Sequence, residues 1–196
     1  MADGTISTEL LKRDDCLLVV IDMQAKLLSE IVDAGEVVRS CRRMVRAAGV
    51  LGVPVIYTEQ YPRGLGPTVA ELATWLSDGG PIEKTAFGCY DCAEFAQRVA
   101  EVGKRTLLLC GIEAHICVYQ TALQSLSRGH RVYLLEDAIG ARSSLAREVG
   151  IARMHSVGAL PSHTEMAIYE LLGAAATTDF RAILPIIKEE ASRSAA

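Results

Sequence analysis

The chain has 196 residues, half of them hydrophobic, and a formal net charge of −4 at pH 7 with histidine neutral. This length suggests one domain over residues 1–196, with segments 1–14 and 189–196 peripheral or frayed. No apolar run reaches the roughly eighteen residues that span a bilayer, which argues against a membrane partner. Scattered Lys and Arg residues argue against nucleic acid. Acidic residues within 1–15 fit neither a signal nor a transit peptide, so a cytoplasmic location is predicted.

Apolar runs of strand length alternate with helical patterns along the chain. The predicted strands are 16–22, 53–58, 106–110, 131–135 and 159–161, with a short edge strand or extended segment at 82–87. The predicted helices are 36–51, 69–76, 91–102, one ending near 127, 143–154, 164–172 and 178–188. Asp91 is the expected N-cap of helix 91–102, and Ser143 or Ser144 is the expected N-cap of helix 143–154. Gly52 and Gly103 are expected to end helices 36–51 and 91–102. This order predicts an α/β fold of three layers (αβα), with a mainly parallel, Rossmann-like sheet of about six strands and helices on both faces.

The six cysteines are too sparse for a disulfide scaffold, so thiols are expected in a cytosolic domain. Cys89 and Cys92 have C-x-x-C spacing, but a lone pair of this kind is weak support for a redox or zinc site. No H-x-H or H-E-x-x-H pairing supplies metal ligands, and no Gly-rich phosphate loop follows the first strand. The sequence therefore predicts neither a metal nor another cofactor.

The segment GIEAHICVYQTAL, residues 111–123, joins an apolar strand to an amphipathic helix and places Cys117 at the junction. Backbone N–H groups and the helix dipole at such a junction favour a thiolate. Asp22 ends the first strand and Lys84 precedes the FGCY loop, so both belong to the edge of the sheet where α/β proteins bind ligands. A base, a cation and N–H donors are what a nucleophilic thiol needs. The alternatives are a turn-capping Asp22, a solvated Lys84 and an inert, packed Cys117.

Four further residues are candidates for a substrate pocket. Gln60 and Tyr61 lie in the loop after the second strand, and Phe87 lies in the loop after Lys84. His115 precedes Cys117 by two residues, and because the reach between such neighbours at a turn is undecided, we rank it as a pocket or packing residue rather than a base. The alternative for all four is ordinary loop packing.

Four segments in this order resemble the isochorismatase-like (cysteine hydrolase) superfamily. They are VVIDMQ (19–24), VPVIYTEQYPRGLGPT (53–68), EKTAFGCY (83–90) and GIEAHICVYQTAL (111–123). The resemblance runs from about residue 16 to residue 188. The second and fourth segments look most like the isochorismatase domain-containing proteins of eukaryotes and their bacterial relatives.

The resemblance implies a catalytic triad that falls on Asp22, Lys84 and Cys117. It also implies a cis peptide between Ile112 and Glu113, with the N–H groups of Glu113 and Cys117 forming an oxyanion hole. The mechanism that follows is a hypothesis: Asp22 accepts the thiol proton, Lys84 holds the pair in its ionised state, and the thiolate attacks an amide or related acyl carbon. Water then hydrolyses the thioester.

Two departures narrow the predicted activity. Nicotinamidases of the superfamily carry a metal-binding aspartate where Gln60 stands, and isochorismatases proper lack the cysteine found here as Cys117. The prediction is therefore a metal-independent cysteine hydrolase of a small-molecule substrate, assembled as a homo-oligomer (a dimer, tetramer or larger). The alternatives are a catalytically silent scaffold or protein-binding member and a nucleic-acid-processing protein, which the acidic balance disfavours.

Overall fold

The computed structural model describes residues 9–76 and 79–191. The strands within these ranges are β1 (Cys16–Ile21), β2 (Val55–Gln60), β3 (Ile82–Lys84), β4 (Thr106–Ile112), β5 (Arg131–Gly140) and β6 (Leu160–Ser162). They pair in parallel throughout and form one sheet in the order β3-β2-β1-β4-β5-β6. The predicted parallel α/β fold is confirmed.

The helices surround this sheet. They are α1 (Ala25–Leu28), α2 (Ala34–Leu51), α3 (Pro62–Leu65), α4 (Ala70–Ala73), α5 (Ala93–Val102), α6 (Cys117–Ser127), α7 (Ser144–Ser156), α8 (Thr164–Leu172) and α9 (Thr178–Ala191). Gly52 and Gly103 end α2 and α5 in the left-handed conformation, and the Ser143 side chain caps α7 by accepting from the N–H of Ala146. These three helix boundaries are confirmed.

Strand β1 is buried on both faces, and its side chains alternate between two cores. Leu18 and Val20 pack in the core under α2, α8 and α9, whereas Leu17 and Val19 pack in the core under α5, α6 and α7. Full burial of one such side chain contributes about 1.5–3 kcal/mol. The continuous apolar run of β1 is therefore the sequence signature of a central strand.

The centre of the sheet is the point where the strand order reverses. After β1 the chain builds outward through β2 and β3, and it then returns to the other side of β1 with β4. In open α/β sheets, ligands bind beside the carboxyl ends of the strands at this point. Gly111 lies there opposite Ile21, with φ of 114°, and a Cβ on it would meet the Ile21 carbonyl oxygen at 2.1 Å.

The structure corrects several predicted boundaries. Strand β5 continues five residues beyond the predicted end at Leu135, although its register with β4 shifts there, since Leu109 pairs with Leu134 and Gly111 with Ile139. Glu136 and Asp137 lie in this irregular stretch and bind His155 and Thr164. Helix α4 is shorter than the predicted 69–76. A polar pair inside a strand thus resembles a strand end in the sequence.

The predicted N-cap of α5 was wrong. Asp91 lies in a short 3₁₀ helix (Cys89–Asp91), and Cys92 occupies the cap position without a side-chain hydrogen bond. The Asp91 carboxylate instead accepts a hydrogen bond of 2.9 Å from Nε2 of Gln124 on α6. This contact ties the loop after β3 to the helix that begins at Cys117.

Part of the segment predicted to be peripheral, 1–14, packs on the domain. Leu11 is buried and its N–H donates to Glu170 at 2.9 Å, while Arg13 donates to the Leu171 carbonyl and to Asp179. At the other end, residues 189–191 of the predicted peripheral segment 189–196 belong to helix α9, whereas residues 1–8 and 192–196 lie outside the described residues. Across the described ranges, no helix has the length and apolar character needed to cross a membrane.

Candidate active site

The fold brings together the side chains of Asp22, Lys84 and Cys117. Asp22 follows β1, Lys84 ends β3, and Cys117 begins α6 directly after β4, so all three lie at the carboxyl edge of the sheet. Asp22 and Lys84 have fully buried side chains, and Cys117 is 7% exposed. The three residues therefore form one shielded cluster at the centre of the sheet.

The ammonium group of Lys84 has an acceptor for each of its three N–H bonds. Nζ donates to Oδ2 of Asp22 at 2.6 Å, to Oε1 of Gln60 at 2.6 Å and to the Ala86 carbonyl at 3.3 Å. Burial is the largest single influence and lowers the pKa of Lys84, but the charge and hydrogen bond of Asp22, together with the nearby thiols of Cys89 and Cys117, outweigh it and hold the pKa above its ordinary value. Lys84 is thus a cation whose hydrogen bonds are all occupied.

Asp22 is held by a second neighbour. Its backbone has φ of 53°, a left-handed conformation that Asp tolerates better than most residues, and its N–H donates to the Thr58 carbonyl. The Thr58 hydroxyl donates to Oδ1 at 2.6 Å, while Lys84 occupies Oδ2. Both carboxylate oxygens are therefore fixed in a buried position.

The thiol of Cys117 is protonated in the resting site. Burial is the largest cause that raises its pKa, and the negative charge of Asp22 and its hydrogen-bonding interaction with the thiol add to the effect. Lys84 opposes the shift without cancelling it. The expected thiolate is thus corrected: the helix junction is present, but desolvation and a carboxylate dominate the electrostatics.

Two backbone N–H groups at the turn from β4 to α6 have no hydrogen-bond partner among the described residues. The peptide bond between Ile112 and Glu113 is cis. The N–H groups of Ala114 and Ile116 donate to carbonyls, whereas those of Glu113 and Cys117 donate to no other described residue. Because buried N–H groups are normally paired, these two are available to an oxygen that enters the site.

The side chain of Glu113 points to Arg142, which follows β5. Oε1 accepts from Nη2 of Arg142 at 2.5 Å, and Oε2 accepts from the Arg142 backbone N–H at 3.0 Å. Burial raises the pKa of Glu113, but the hydrogen bonds and charge of Arg142 outweigh it and keep the pKa below its ordinary value. The pair fixes the turn that carries the two unpaired N–H groups.

The predicted pocket residues take different positions. Tyr61 and Phe87 are each 54% exposed, and His115 is half-buried with an Nδ1 atom that is buried and has no hydrogen-bond partner among the described residues. Tyr61 also lines a cavity of about 410 Å³ together with Lys84. The Gln60 side chain does not line this cavity and contacts Lys84 instead.

Three residues in or around the cluster were not assigned to the site from the sequence. Thr58 binds Asp22, and the buried amide of Gln24 binds the backbone of Gln60. Cys89 is fully buried, with its pKa raised to about 12 by burial and by Asp22 while Lys84 lowers it. Gln24 lies in the segment DMQ (22–24) after β1, and Thr58 lies in the segment YTEQ (57–60) of β2. In each segment two polar residues two positions apart share one face of an extended strand, and this pattern is the sequence signal that could have found them.

No group of three or more His, Cys, Asp or Glu side chains that could hold a metal ion occurs in the described part of the chain. The amide oxygen of Gln60 is engaged by Lys84, a donor that a metal would have to replace. Ca²⁺ and Mg²⁺ require a set of oxygen ligands, and Zn²⁺ requires a set of histidine, cysteine or carboxylate ligands. The described residues around Lys84 do not provide such a set.

The fold is that of an α/β protein with a wholly parallel sheet, and the candidate site lies at the carboxyl edge of that sheet. The isochorismatase domain family model matches residues 16–166. The chain belongs to this family. Isochorismatase domain-containing protein 2 of Macaca fascicularis is 41% identical over 179 residues, which cover 91% of this chain and 85% of that protein.

Two solved structures show the same fold. MAR1 ribonuclease from Caenorhabditis elegans is 34% identical, with a TM-score of 0.85 and coverage of 91% of this chain and 92% of that chain. The YcaC gene product of Escherichia coli, described as an octameric hydrolase of unknown specificity, is 23% identical, with a TM-score of 0.87 over 93% and 92% of the two chains. At this identity the second likeness concerns the fold alone.

Proposed function

We propose that this chain is a metal-independent cysteine hydrolase that cleaves a small amide or related acyl substrate through a thioester on Cys117. One observation carries the proposal. The Asp22 carboxylate interacts with the Lys84 ammonium on one side and with the Cys117 thiol on the other, inside a shielded cluster. A base that is paired with a cation and interacts with a thiol supplies the parts that nucleophilic catalysis needs.

In the first step, Asp22 accepts the proton of Cys117 while the sulfur bonds to the acyl carbon. Because the resting thiol is protonated, proton transfer accompanies the attack, and Lys84 offsets the charge that moves onto sulfur. The C–N bond then breaks, the proton passes from Asp22 to the leaving amine, and a thioester remains. Water, with Asp22 as base, hydrolyses the thioester and restores the thiol.

The tetrahedral intermediates carry a negative oxygen that must be stabilised. The unpaired N–H groups of Glu113 and Cys117 are the donors we assign to it, since two fixed donors in a site with little water act strongly on developing charge. Loss of one such donor typically costs about 10²–10³ in kcat. Lys84 has no N–H to spare, so its role is electrostatic.

Tyr61, Phe87 and His115 are proposed to line the substrate pocket. Tyr61 and Phe87 are large and half-exposed, which suits apolar contact with a small ligand. The unpaired Nδ1 of His115 is a polar atom that a substrate group can satisfy. No metal takes part in the proposed reaction, because Gln60 binds Lys84 where a metal ligand would be needed.

We also propose that the protein assembles as a homo-oligomer. Leu145 and Val149 project one turn apart from α7 and are 69% and 56% exposed. Two exposed apolar side chains one turn apart on a helix suit a contact with a second copy of the chain. By contrast, the closing helices bury Ile168 and Ile183 against the core, so their apolar faces are largely used. Light scattering after gel filtration measures the assembly directly.

Ribonuclease activity is a second candidate, favoured by the C. elegans relative at 34% identity whose name states that activity. The net charge of −4 gives little attraction for a polyanion. Incubation of labelled single-stranded RNA with the wild type and with Cys117→Ala decides between the activities. Cleavage by the wild type alone, falling steeply with added salt, would favour the ribonuclease.

The direct test of the proposal is a screen of small amides with the wild type, Cys117→Ala and Cys92→Ser. Cys92 is a half-buried thiol that lines the same cavity as Lys84 and Tyr61, so Cys92→Ser controls for the loss of a thiol near the site other than Cys117. We expect turnover by the wild type and Cys92→Ser and at least a 10³-fold loss in Cys117→Ala. Equal turnover by Cys117→Ala would refute the cysteine mechanism.

A further inference from the structure

We infer that Gln60 is a positioning residue: its side chain is a neutral acceptor that holds the Lys84 ammonium against Asp22 without adding a charge to the cluster. This inference rests on the proposed function. It assigns to Gln60 a role different from the substrate contact expected from the sequence.

The first step is the orientation of the Gln60 amide. Its Oε1 accepts from Nζ of Lys84 at 2.6 Å, and its Nε2 donates to the Thr85 carbonyl at 2.8 Å. Lysine can only donate and a carbonyl can only accept, so just one of the two amide orientations satisfies both partners. The Gln60 side chain is therefore locked with its oxygen towards Lys84.

The second step is the support of Gln60 by Gln24. The fully buried Gln24 amide accepts from the N–H of Gln60 at 2.7 Å and donates to its carbonyl at 2.9 Å, as a neighbouring strand would. It also donates to the Gly66 carbonyl at 2.6 Å. The side chain of Gln24 thus continues the pairing of β1 with β2 beyond the ladder and fixes where Gln60 lies.

The third step is the pairing of polar residues along two strand ends. Asp22 and Gln24 follow β1 two residues apart, and Thr58 and Gln60 end β2 with the same spacing. Thr58 holds Asp22, and Gln60 is held by Gln24 and holds Lys84. One continuous set of hydrogen bonds therefore places the acid and the cation together.

The fourth step is the charge of the cluster. With a neutral Gln60, the charges of Asp22 and Lys84 sum to zero, and Lys84 is the group that lowers the pKa of Cys117. A carboxylate at position 60 would lie in contact with the ammonium, compete with Asp22 for it and leave the cluster with one net negative charge. A nearby negative charge raises a thiol pKa further. Glutamine supplies the acceptor without this effect.

The test measures the rate at which Cys117 reacts with iodoacetamide from pH 6 to pH 10, followed by mass spectrometry of the labelled peptide. All proteins carry Cys92→Ser, because Cys92 is the more exposed thiol. The variants are Gln60→Glu, which keeps the shape and adds a charge, and Gln60→Met, which removes the acceptor. Gln97→Glu adds the same charge on exposed helix α5 as a control.

We expect Gln60→Glu to slow the labelling of Cys117 about tenfold at pH 8, as for a rise of about one pKa unit. Gln60→Met leaves a buried N–H of Lys84 unpaired, which favours loss of the Lys84 proton. Without that positive charge the Cys117 thiolate is less stable, so Cys117 should be labelled more slowly than in the Gln97→Glu control, most of all at the alkaline end of the pH range. Gln97→Glu keeps the wild-type profile. If Gln60→Glu fails to fold by circular dichroism, Gln60→Met alone decides the inference.

Three outcomes show whether this inference, the proposed function or both are wrong. A reactive Cys117 with the wild-type pH profile in the folded Gln60 variants overturns the positioning role and leaves the hydrolase proposal standing. A wild-type Cys117 that no electrophile labels refutes both. Turnover that survives in Cys117→Ala refutes the hydrolase proposal independently of any Gln60 variant.

Discussion

Nζ of Lys84 lies 2.6 Å from Oδ2 of Asp22, and both side chains are fully buried. Neither charge is exposed to solvent, so each depends on the other and on the neutral groups Thr58 and Gln60. This pair links the end of edge strand β3 to the end of central strand β1 and connects the stability of the sheet with the chemistry of the site.

Removal of the cation is expected to destabilise the protein. Lys84→Met leaves the Asp22 carboxylate buried and uncompensated, which costs about 3–5 kcal/mol in the free energy of unfolding. The double variant Asp22→Asn/Lys84→Met removes both charges and should recover at least half of that loss. Urea denaturation at pH 7 measures both losses in the free energy of unfolding.

As a control, Arg98→Met removes the exposed ion pair with Glu94 and should cost about 0.5 kcal/mol or less. Equal losses at the two sites would contradict the buried pair.

Asp22→Asn is expected to separate thiol acidity from turnover. Burial and the Asp22 charge raise the pKa of Cys117, so removal of that charge beside Lys84 lowers the pKa and increases the thiolate fraction. In a Cys92→Ser background, iodoacetamide labelling at pH 7 should therefore accelerate about tenfold for a fall of one pKa unit, while amide turnover is lost with the base. Asp14→Asn, at an exposed site, is the control. Slower labelling in Asp22→Asn would show that the carboxylate does not hold the thiol protonated.

The Glu113–Arg142 pair predicts a pH-dependent contribution to stability. Although burial opposes it, Arg142 holds the pKa of Glu113 below its ordinary value of 4.5, so the folded state binds this proton less readily than the unfolded state. The contribution is present above pH 4.5 and disappears as the pH falls through the lowered pKa. Arg142→Gln should thus cost about 1 kcal/mol at pH 7 and progressively less towards pH 3, by urea denaturation. A cost that is independent of pH would exclude the ion pair as its cause.

Gly111→Ala should destabilise the sheet at the centre of the site. A Cβ there meets the Ile21 carbonyl at 2.1 Å, in addition to the cost of φ at 114°. Gly158 has a similar φ of 105° and open space around it, so Gly158→Ala isolates the backbone cost of about 1–2 kcal/mol. We expect Gly111→Ala to lower the free energy of unfolding by at least about 2 kcal/mol more than Gly158→Ala. Equal effects would mean that β1 and β4 separate without cost.

The sequence contains most of the fold because the apolar runs are unambiguous. The apolar run that forms β1 is shorter than a typical helix of a globular domain and contains no polar residue. It therefore indicates a strand that is buried on both faces of the sheet. Strand β5 was predicted too short because its polar residues Glu136 and Asp137 find partners on α7 and α8, contacts that depend on tertiary structure. The predicted end of this strand was wrong because side chains that are distant in the sequence bind the polar residues within it.

The site could be predicted only in part, for the same reason. Asp22, Lys84 and Cys117 stand at strand ends and can be located from topology together with family resemblance. The roles of Gln60 and Thr58 depend on which side chains face each other across β1 and β2, which the register decides. The raised pKa of Cys117 depends on burial and on the distance to Asp22, and neither quantity is encoded locally.

The central claim is that Cys117 carries the acyl group during hydrolysis. The most direct measurement is intact-protein and peptide mass spectrometry of acid-quenched samples after mixing the protein with a small activated ester or amide. The account predicts one acyl group per chain, located on Cys117, that forms and decays at rates compatible with turnover and is absent from Cys117→Ala. Turnover without an acyl group on Cys117, or an equal rate in Cys117→Ala, would contradict it.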